Sequence, residues 1–463
     1  MPPPSKPLSI AFVHPDLGIG GAERLAVDAA VAMKMKGHHV IMYTSHHDPN
    51  HCFEETRDGT LDVEVHGDFL PRTLFGRFYI VFAILRQLYL TLIMITTHRS
   101  TYDVIFIDQL SACIPLFQWL TPSRVLFYCH FPDKLLATRD SALKKLYRAP
   151  ADALEELTTG QADTIVVNSC FTAGMFKKSF PTIAKTPEVL YPPINFEAYD
   201  RPVDMTDSAV QILDSKTTFL SINRFERKKN IELALRAFAA VKEKVSPETF
   251  NTCRLVLAGG YDRRVQENVE YLETLDGLAH DFGLTTFTIQ PGACDTPPKD
   301  AQVVFLCSFS DTQRTFLLRQ AKVILYTPSN EHFGIVPVEG MYASVPVMAV
   351  NNGGPTESIE HGKTGWLLTP DPAVWGEQLA VLLADNVDVA EMGQHGRRRV
   401  QTLFSLDAFG DHLDQILRDL VASPRVSTSW YPLLLTSGLI AVLAYFFWFQ
   451  ANLTLQSFNQ GGL

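Results

Sequence analysis

The sequence predicts an α/β protein built from two doubly wound parallel sheets, and three observations lead there. Short apolar runs recur along the chain, each closed by a polar loop and followed by a helical pattern. The first such unit is "LSIAFVHP", the loop "DLGIGGAE", a helical stretch from Ala22 to about Lys36, and "HHVIMYTS". The series continues with "YDVIFID" (102–108), "RVLFYCH" (124–130) and "DTIVVNS" (163–169). Strands alternating with helices imply parallel pairing, with helices on both faces. The pattern then breaks at "VLYPPIN" (189–195), a polar stretch follows, and a second series begins. It comprises "TTFLSIN" (217–223), a helix from Ile231, "CRLVLAGG" (253–260), "TFTIQPG" (286–292), "AKVILYTPS" (321–329) and "VPVMAVNNGG" (345–354). Two Rossmann-like halves with a hinge at Pro192 and Pro193 are expected. Ligands of such sheets sit at the carboxyl ends of strands, so two facing halves would gather both sets of loops in one cleft.

Composition agrees with a large folded protein rather than a disordered chain or a nucleic-acid binder. The 463 residues exceed one ordinary domain, and 46% apolar with 19% charged residues suffices for a sizeable core. A net charge of −10 argues against general nucleic-acid binding, which needs a basic footprint. The seven cysteines are scattered, odd in number and without a C-x-x-C pair, which suggests a reducing compartment and neither a zinc site nor a disulfide framework. No long apolar stretch precedes the first strand, so no signal peptide is expected.

Two segments point to a membrane. Trp430 to Phe449, "WYPLLLTSGLIAVLAYFFWF", has 16 apolar residues of 20 and no charge, with aromatics at both ends. A bilayer core of ~30 Å takes about 20 helical residues, so a spanning or anchoring segment is expected. Phe78 to Thr97, "FYIVFAILRQLYLTLIMITT", has 15 apolar residues of 20, but Arg86 and Gln87 lie midway. A charge there is costly within a bilayer, which favours a helix lying in the interface or partly inserted over one that spans; a buried helix is the alternative.

The residues that suggest chemistry cluster at predicted strand ends. "NEHFGIVPVEG" (330–340) follows a strand, and a helix is expected to begin near Ile335 with Pro337 in its first turn, where a missing N–H costs nothing. Glu331 then projects from the loop, and Glu339 lies about one turn into the helix. The helix N-terminus favours a phosphate, while the two carboxylates suit sugar and ribose hydroxyls; acids that merely favour a helix start are the plain alternative. "SINRFERKKN" (221–230) places Arg224 and Lys229 in one loop after a strand, an arrangement that suits a diphosphate or is a solvated basic loop. "NNGGPTE" and "GIGG" let backbone approach a ligand closely. The second of these is not G-x-G-x-x-G, and no acid follows the next strand, which disfavours a dehydrogenase. There is no P-loop and no D-x-D. His130 closes the strand "RVLFYCH", where it suits a transferred sugar or its acceptor, or is a structural histidine.

Together, G-G-A-E near the start, R-x4-K after a strand and E-x7-E around "FG" resemble the family 4 retaining glycosyltransferases of GT-B fold. The resemblance covers nearly all of residues 8–421. "HPDLGIGGAERL", "YCHFPDKLL", "INRFERKKNIELA" and "NEHFGIVPVEGMYA" look like the eukaryotic mannosyltransferases of asparagine-linked glycosylation. The resemblance implies an acceptor domain over 1–195, a nucleotide-sugar domain over 196–400, and a helix at 401–421 returning toward the first domain. It implies GDP-mannose as donor and α-1,3- and α-1,6-mannose added to mannosyl-chitobiosyl-diphosphodolichol. No cofactor or obligate metal is implied. Arg224 and Lys229 would hold the donor diphosphate, with Gly20 and Gly21 nearby. Glu331 would contact the mannose, His130 the mannose being transferred, and Glu339 the guanosine ribose. Phe333, Gly334 and Ile335 complete the donor loop. Partners would be the dolichyl-diphosphate-linked oligosaccharide, the endoplasmic reticulum membrane from its cytosolic face, and other mannosyltransferases of the pathway, with no nucleic acid. The rivals are another membrane-attached GT-B nucleotide-sugar transferase and a non-catalytic GT-B-like subunit.

Overall fold

The computed structural model describes residues 6–73, 79–98, 102–136, 142–204, 210, 216–384, 387–425, 434 and 438. The chain forms two compact units, Met1–Pro193 with Leu406–Leu463, and Ile194–Ser405. The expected 430–449 segment lies outside the described residues apart from Leu434 and Gly438.

The sheet of the first unit has seven strands: β1 (Ser9–His14), β2 (His39–Thr44), β3 (Asp62–Val65), β4 (Val104–Asp108), β5 (Arg124–Cys129), β6 (Thr164–Val167) and β7 (Glu188–Val189). Their order is β3-β2-β1-β4-β5-β6-β7, and every pairing is parallel. Alternate residues of one strand feed opposite layers, because side chains alternate across a sheet. Ile10 and Phe12 pack with Phe106 and Leu126 on one face, while Ala11 and Val13 pack with Ile105, Ile107 and Phe127 on the other. The first face is closed by helix Gly21–Met35 and by the C-terminal helix Leu406–Ala422, whose Phe409, Leu413 and Leu417 enter that core. His38 Nε2 and Asp414 Oδ1 meet there at 2.8 Å.

The second unit repeats the plan with β8 (Thr217–Ile222), β9 (Cys253–Gly259), β10 (Thr286–Ile289), β11 (Val303–Cys307), β12 (Ala321–Tyr326), β13 (Val347–Val350) and β14 (Gly365–Leu368). The order is β10-β11-β9-β8-β12-β13-β14, again parallel. In both sheets the direction of winding reverses once, between β1 and β4 and between β8 and β12. Such a reversal opens a crevice at the carboxyl ends of the two central strands.

The helix expected over 78–97 runs from Tyr79 to His98, and Phe78 lies outside the described residues. Its midway polar residues, Arg86 and Gln87, point inward. The Arg86 guanidinium is buried and donates to the Ser45 carbonyl at 3.0 Å, the Gly67 carbonyl at 3.3 Å and Asp68 at 2.7 Å. Gln87 is buried and donates to the Leu110 carbonyl. The solvent face carries Leu85, Tyr89 and Leu92, and Phe69 stands edge-on to Tyr89 at 4.9 Å, itself 70% exposed. The helix is apolar on its exposed side and polar at the middle of its buried side.

Candidate functional site

In the second unit three loops leave the carboxyl ends of the neighbouring strands β8, β12 and β13. The β8 loop passes through a single helical turn, Arg227–Lys229, and Asn230 takes the left-handed conformation with φ 48° before helix Ile231–Val241. The Lys229 carbonyl accepts from Thr327 Oγ1 at 2.7 Å, which ties the β8 and β12 loops together. Across the winding reversal, Lys229 Nζ donates to Glu331 Oε1 at 2.9 Å, and Tyr326 Oη donates to Glu331 Oε2 at 2.7 Å. Burial alone would raise the Glu331 carboxyl. The Lys229 ammonium and the Tyr326 hydroxyl outweigh it and hold the acid below its ordinary range. Burial beside Glu331 pushes the Tyr326 phenol far up, so it stays a donor.

The rest of the loop is shaped by close backbone packing. Gly334 has φ 83°, and a Cβ there would lie 3.1 Å from the Tyr326 hydroxyl. A Cβ on Gly354 would lie 2.3 Å from Phe333 Cα, and the Gly354 N–H donates to the Glu331 carbonyl at 2.8 Å. The two glycine-bearing loops therefore touch main chain to main chain. Phe333 is buried edge-on to Phe404 at 5.6 Å. Ile335 opens helix Ile335–Tyr342 and is partly exposed, leaving the first N–H groups of that helix beside the loop. Glu339 is buried in the second turn. Its Oε1 accepts from the Tyr199 hydroxyl and from Arg314 Nη1 at 3.3 Å, while Oε2 has no bond to a described residue.

The two expected diphosphate ligands differ in setting. Lys229 is paired with Glu331, whereas Arg224 is 70% exposed and its nearest acid is Glu226 at 3.6 Å. Arg224 Cγ packs against Gly260, whose carbonyl accepts from the Phe225 N–H.

At the carboxyl edge of the first unit, His130 follows β5 and its Nε2 meets Asp108 Oδ2 at 3.1 Å. Asp108 ends β4 and its Oδ1 meets His14 Nδ1, at the end of β1, at 2.7 Å. Burial opposes a charge on His14, but Asp108 overcomes it and raises the imidazole to about 9. The same pair holds Asp108 below its ordinary range against its own burial. His14 Nε2 lies 3.8 Å from Glu23, one turn into helix Gly21–Met35. Gly20 precedes that helix, and a Cβ there would collide with the Glu23 carboxylate, while Gly21 faces open space. Sequence reasoning singled out His130 but not His14, Asp108, Tyr326, Tyr199 or Arg314. The rule that found His130, a polar residue closing an apolar strand, applies equally to "IAFVHP" and "VIFID".

Residues 19–198 match the family described as Glycosyltransferase Family 4, and residues 205–399 the family described as Glycosyl transferases group 1. Among solved structures, sucrose-phosphate synthase from Thermosynechococcus elongatus aligns over 90% of this chain and 100% of its own, with TM-score 0.68 and 21% identity. HepE of Anabaena, in complex with UDP and glucose, covers 89% of this chain and 100% of its own, with TM-score 0.62 and 18% identity. The fold is that of the two-domain GT-B glycosyltransferases. Among curated relatives, the α-1,3/1,6-mannosyltransferase ALG2 of Rhizomucor pusillus is 64% identical over 95% of this chain and 97% of its own. That of Homo sapiens is 45% identical over 89% and 96%. The chain belongs to the ALG2 family of α-1,3/1,6-mannosyltransferases.

The His14–Asp108 pair yields a stability test. A folded value near 9 against an ordinary 6.5 means that the native state holds the proton more tightly. The resulting stabilisation is complete below about pH 6.5 and is lost as pH rises through about 9. The urea midpoint of the wild type is expected to fall between pH 7 and 9.5 (roughly the window set by those values) more than that of His14→Gln. Equal slopes would show that His14 is not charged in the native protein.

Proposed function

We propose that the protein is a retaining mannosyltransferase that uses GDP-mannose to add α-1,3- and α-1,6-mannose to mannosyl-chitobiosyl-diphosphodolichol. The observation that carries this reading is the Lys229–Glu331–Tyr326 cluster across the winding reversal of the second sheet. It supplies a cation for the donor diphosphate and a carboxylate for sugar hydroxyls at the place where such sheets bind ligands. The names of the relatives support mannose and the two linkages.

In this reaction Lys229 and Arg224 take the diphosphate, Lys229 as a point charge and Arg224 as a bidentate fork. With the first N–H groups of helix Ile335–Tyr342 they stabilise the leaving group's charge. Glu331 turns toward the mannose while Tyr326 keeps hold of its other oxygen. Glu339, anchored by Tyr199 and Arg314 through Oε1, offers Oε2 to the guanosine ribose. Gly20 and Gly21 are assigned to the diphosphate and His130 to the mannose being transferred. Retention follows because an axial donor bond becomes an axial product bond. No obligate metal is needed, since protein cations supply the countercharge.

The protein works at the cytosolic face of the endoplasmic reticulum membrane, where the dolichyl-linked acceptor and other mannosyltransferases of the pathway are its partners. The apolar outer face of helix Tyr79–His98 supports attachment in the interface plane. Arg418 and Arg425 precede the 430–449 segment and no Lys or Arg follows it, which favours a cytosolic body. Arg425 itself donates to the carbonyls of Gln118 and Thr121 at 2.6 and 2.9 Å, which fixes it on the first unit.

Transfer from GDP-mannose to a lipid-linked mannosyl-chitobiose, with linkage analysis of the product, tests the reaction. A panel of other nucleotide sugars separates it from a sister transferase. Arg224→Ala and Lys229→Ala each remove a charge-assisted contact worth about 1.5–3 kcal/mol, so the donor-dependent rate is expected to fall at least about tenfold in a folded protein. Unchanged turnover of Lys229→Ala at subsaturating donor would sink the assignment. Activity in excess EDTA is expected to stay within the same order as without it, and complete loss rescued by Mn²⁺ or Mg²⁺ would overturn the metal-free reading.

Removal of residues 430–463 is expected to weaken membrane attachment without abolishing it. Adding Leu85→Ser, Tyr89→Ser and Leu92→Ser is expected to release the protein. A truncated protein that is already fully soluble would refute the role given to helix Tyr79–His98. An acceptor sequon on an extended C-terminal tail should be glycosylated if 430–449 spans. An unglycosylated tail cleavable from the cytosol would show that it does not.

A further inference from the structure

His14, Asp108 and His130 close three neighbouring strands, β1, β4 and β5. Asp108 is 1% exposed and divides its carboxylate between two rings, Oδ1 facing His14 Nδ1 and Oδ2 facing His130 Nε2. His14 is equally buried and provides the countercharge that a buried carboxylate requires. An ionised carboxylate can only accept hydrogen bonds, so each ring nitrogen facing it carries a hydrogen. For His130 this fixes the hydrogen on Nε2. In the neutral ring Nδ1 is then a bare lone pair.

The residue is also held from other sides, at its main chain and at its ring. The Asn168 amide donates to the His130 carbonyl at 3.0 Å, and the Tyr128 ring lies 4.8 Å away centre to centre. The side chain is 23% exposed, and no described residue bonds Nδ1. The one unpartnered nitrogen of an otherwise restrained ring is thus an acceptor.

We propose that Asp108 is a positioning residue that fixes neutral His130 as the Nε2–H tautomer, so that Nδ1 accepts a hydrogen bond from a sugar hydroxyl. The sugar as ligand rests on the glycosyl-transfer reading above; the tautomer does not. The tautomer decides the direction of that bond, since a ring protonated on Nδ1 would donate to the hydroxyl oxygen instead. His14 acts one step further back by keeping Asp108 ionised. An amide at position 108 offers both a donor and an acceptor and would permit either tautomer.

The tautomer can be read directly. Full-length protein labelled with ¹⁵N-histidine is studied in detergent micelles by two-bond nitrogen–proton correlation, and the His130 signal is identified by its loss in His130→Gln. The expected wild-type pattern is Nε2–H for His130 at a pH where that ring is neutral, and both nitrogens protonated for His14 at neutral pH. Asp108→Asn is expected to give His130 a mixture of tautomers and to neutralise His14. An Nδ1–H pattern for His130 in the wild type overturns the proposal, whether or not the protein transfers mannose, and should Asp108→Asn not fold, the wild-type pattern alone still decides.

A kinetic cycle tests the role. Asp108→Asn is expected to lower kcat at least about tenfold with the donor KM changed less than about twofold, and to cost less than about twofold in a His130→Ala background. Equal losses in both backgrounds would make Asp108 merely structural and overturn the positioning role. A wild type that shows the expected tautomer but no transfer from any nucleotide sugar would sink the functional reading and leave the tautomer assignment standing.

Discussion

Each sheet reverses its winding once, and across each reversal a carboxylate faces a cation. In the first unit the pair is Asp108 and His14, in the second Glu331 and Lys229. The coincidence has a physical origin. At a reversal the connecting helices depart to opposite sides, so the carboxyl ends of the two central strands are left uncovered. A charge placed at those ends is punished when unpaired, most strictly for Asp108 and His14, each 1% exposed. A polar residue that ends a central strand must find its partner on the strand beside it. The strand order then determines who that partner is, and the rest of each site is arranged around the pair.

That dependence also sets what could be read from the chain alone. The central strands were legible because both their faces are buried, which writes them as continuous apolar runs such as "VIFID" and "LVLAG". β11 was not, although "VVFLC" is wholly buried, because no helix separates it from β10 and the expected strand–helix alternation passes over it. β3, β7 and β14 are edge strands of 4, 2 and 4 residues, too short for a periodic pattern to register. Among site residues, Lys229 and Glu331 stood out by motif, but their contact joins positions 102 residues apart and follows from β8 lying beside β12. Tyr199 and Arg314 escaped notice because each reaches Glu339 from a segment with no motif of its own.

Helix Tyr79–His98 shows a different limit. Periodicity reveals that a helix has two faces but not which one turns inward. Arg86 and Gln87 invite the inference that the polar side meets solvent, yet three acceptors wait for Arg86 inside the first unit. The loop at 67–68 and the Ser45 carbonyl provide those acceptors, so the helix buries a charge at low cost and leaves Leu85, Tyr89 and Leu92 outside. A soluble surface rarely gathers such residues beside an exposed Phe69, which fits a face that meets lipid.

The Lys229–Glu331 pair has a further consequence for the proposed reaction. Both side chains are mostly buried, 17% and 28% exposed, so neither charge can be left without a partner. Exchange of the pair for a diphosphate therefore requires a new partner for each charge, the diphosphate for Lys229 and a sugar hydroxyl for Glu331. The geometry survives the exchange because neither residue depends on the other alone. Thr327 holds the Lys229 carbonyl, and Tyr326 holds the second oxygen of Glu331. When the donor draws Lys229 away, the freed Glu331 oxygen stays aimed by Tyr326 and is available to a sugar hydroxyl. The pair keeps both charges in place before the donor arrives and releases them together when it binds, which is the preorganisation that electrostatic catalysis requires.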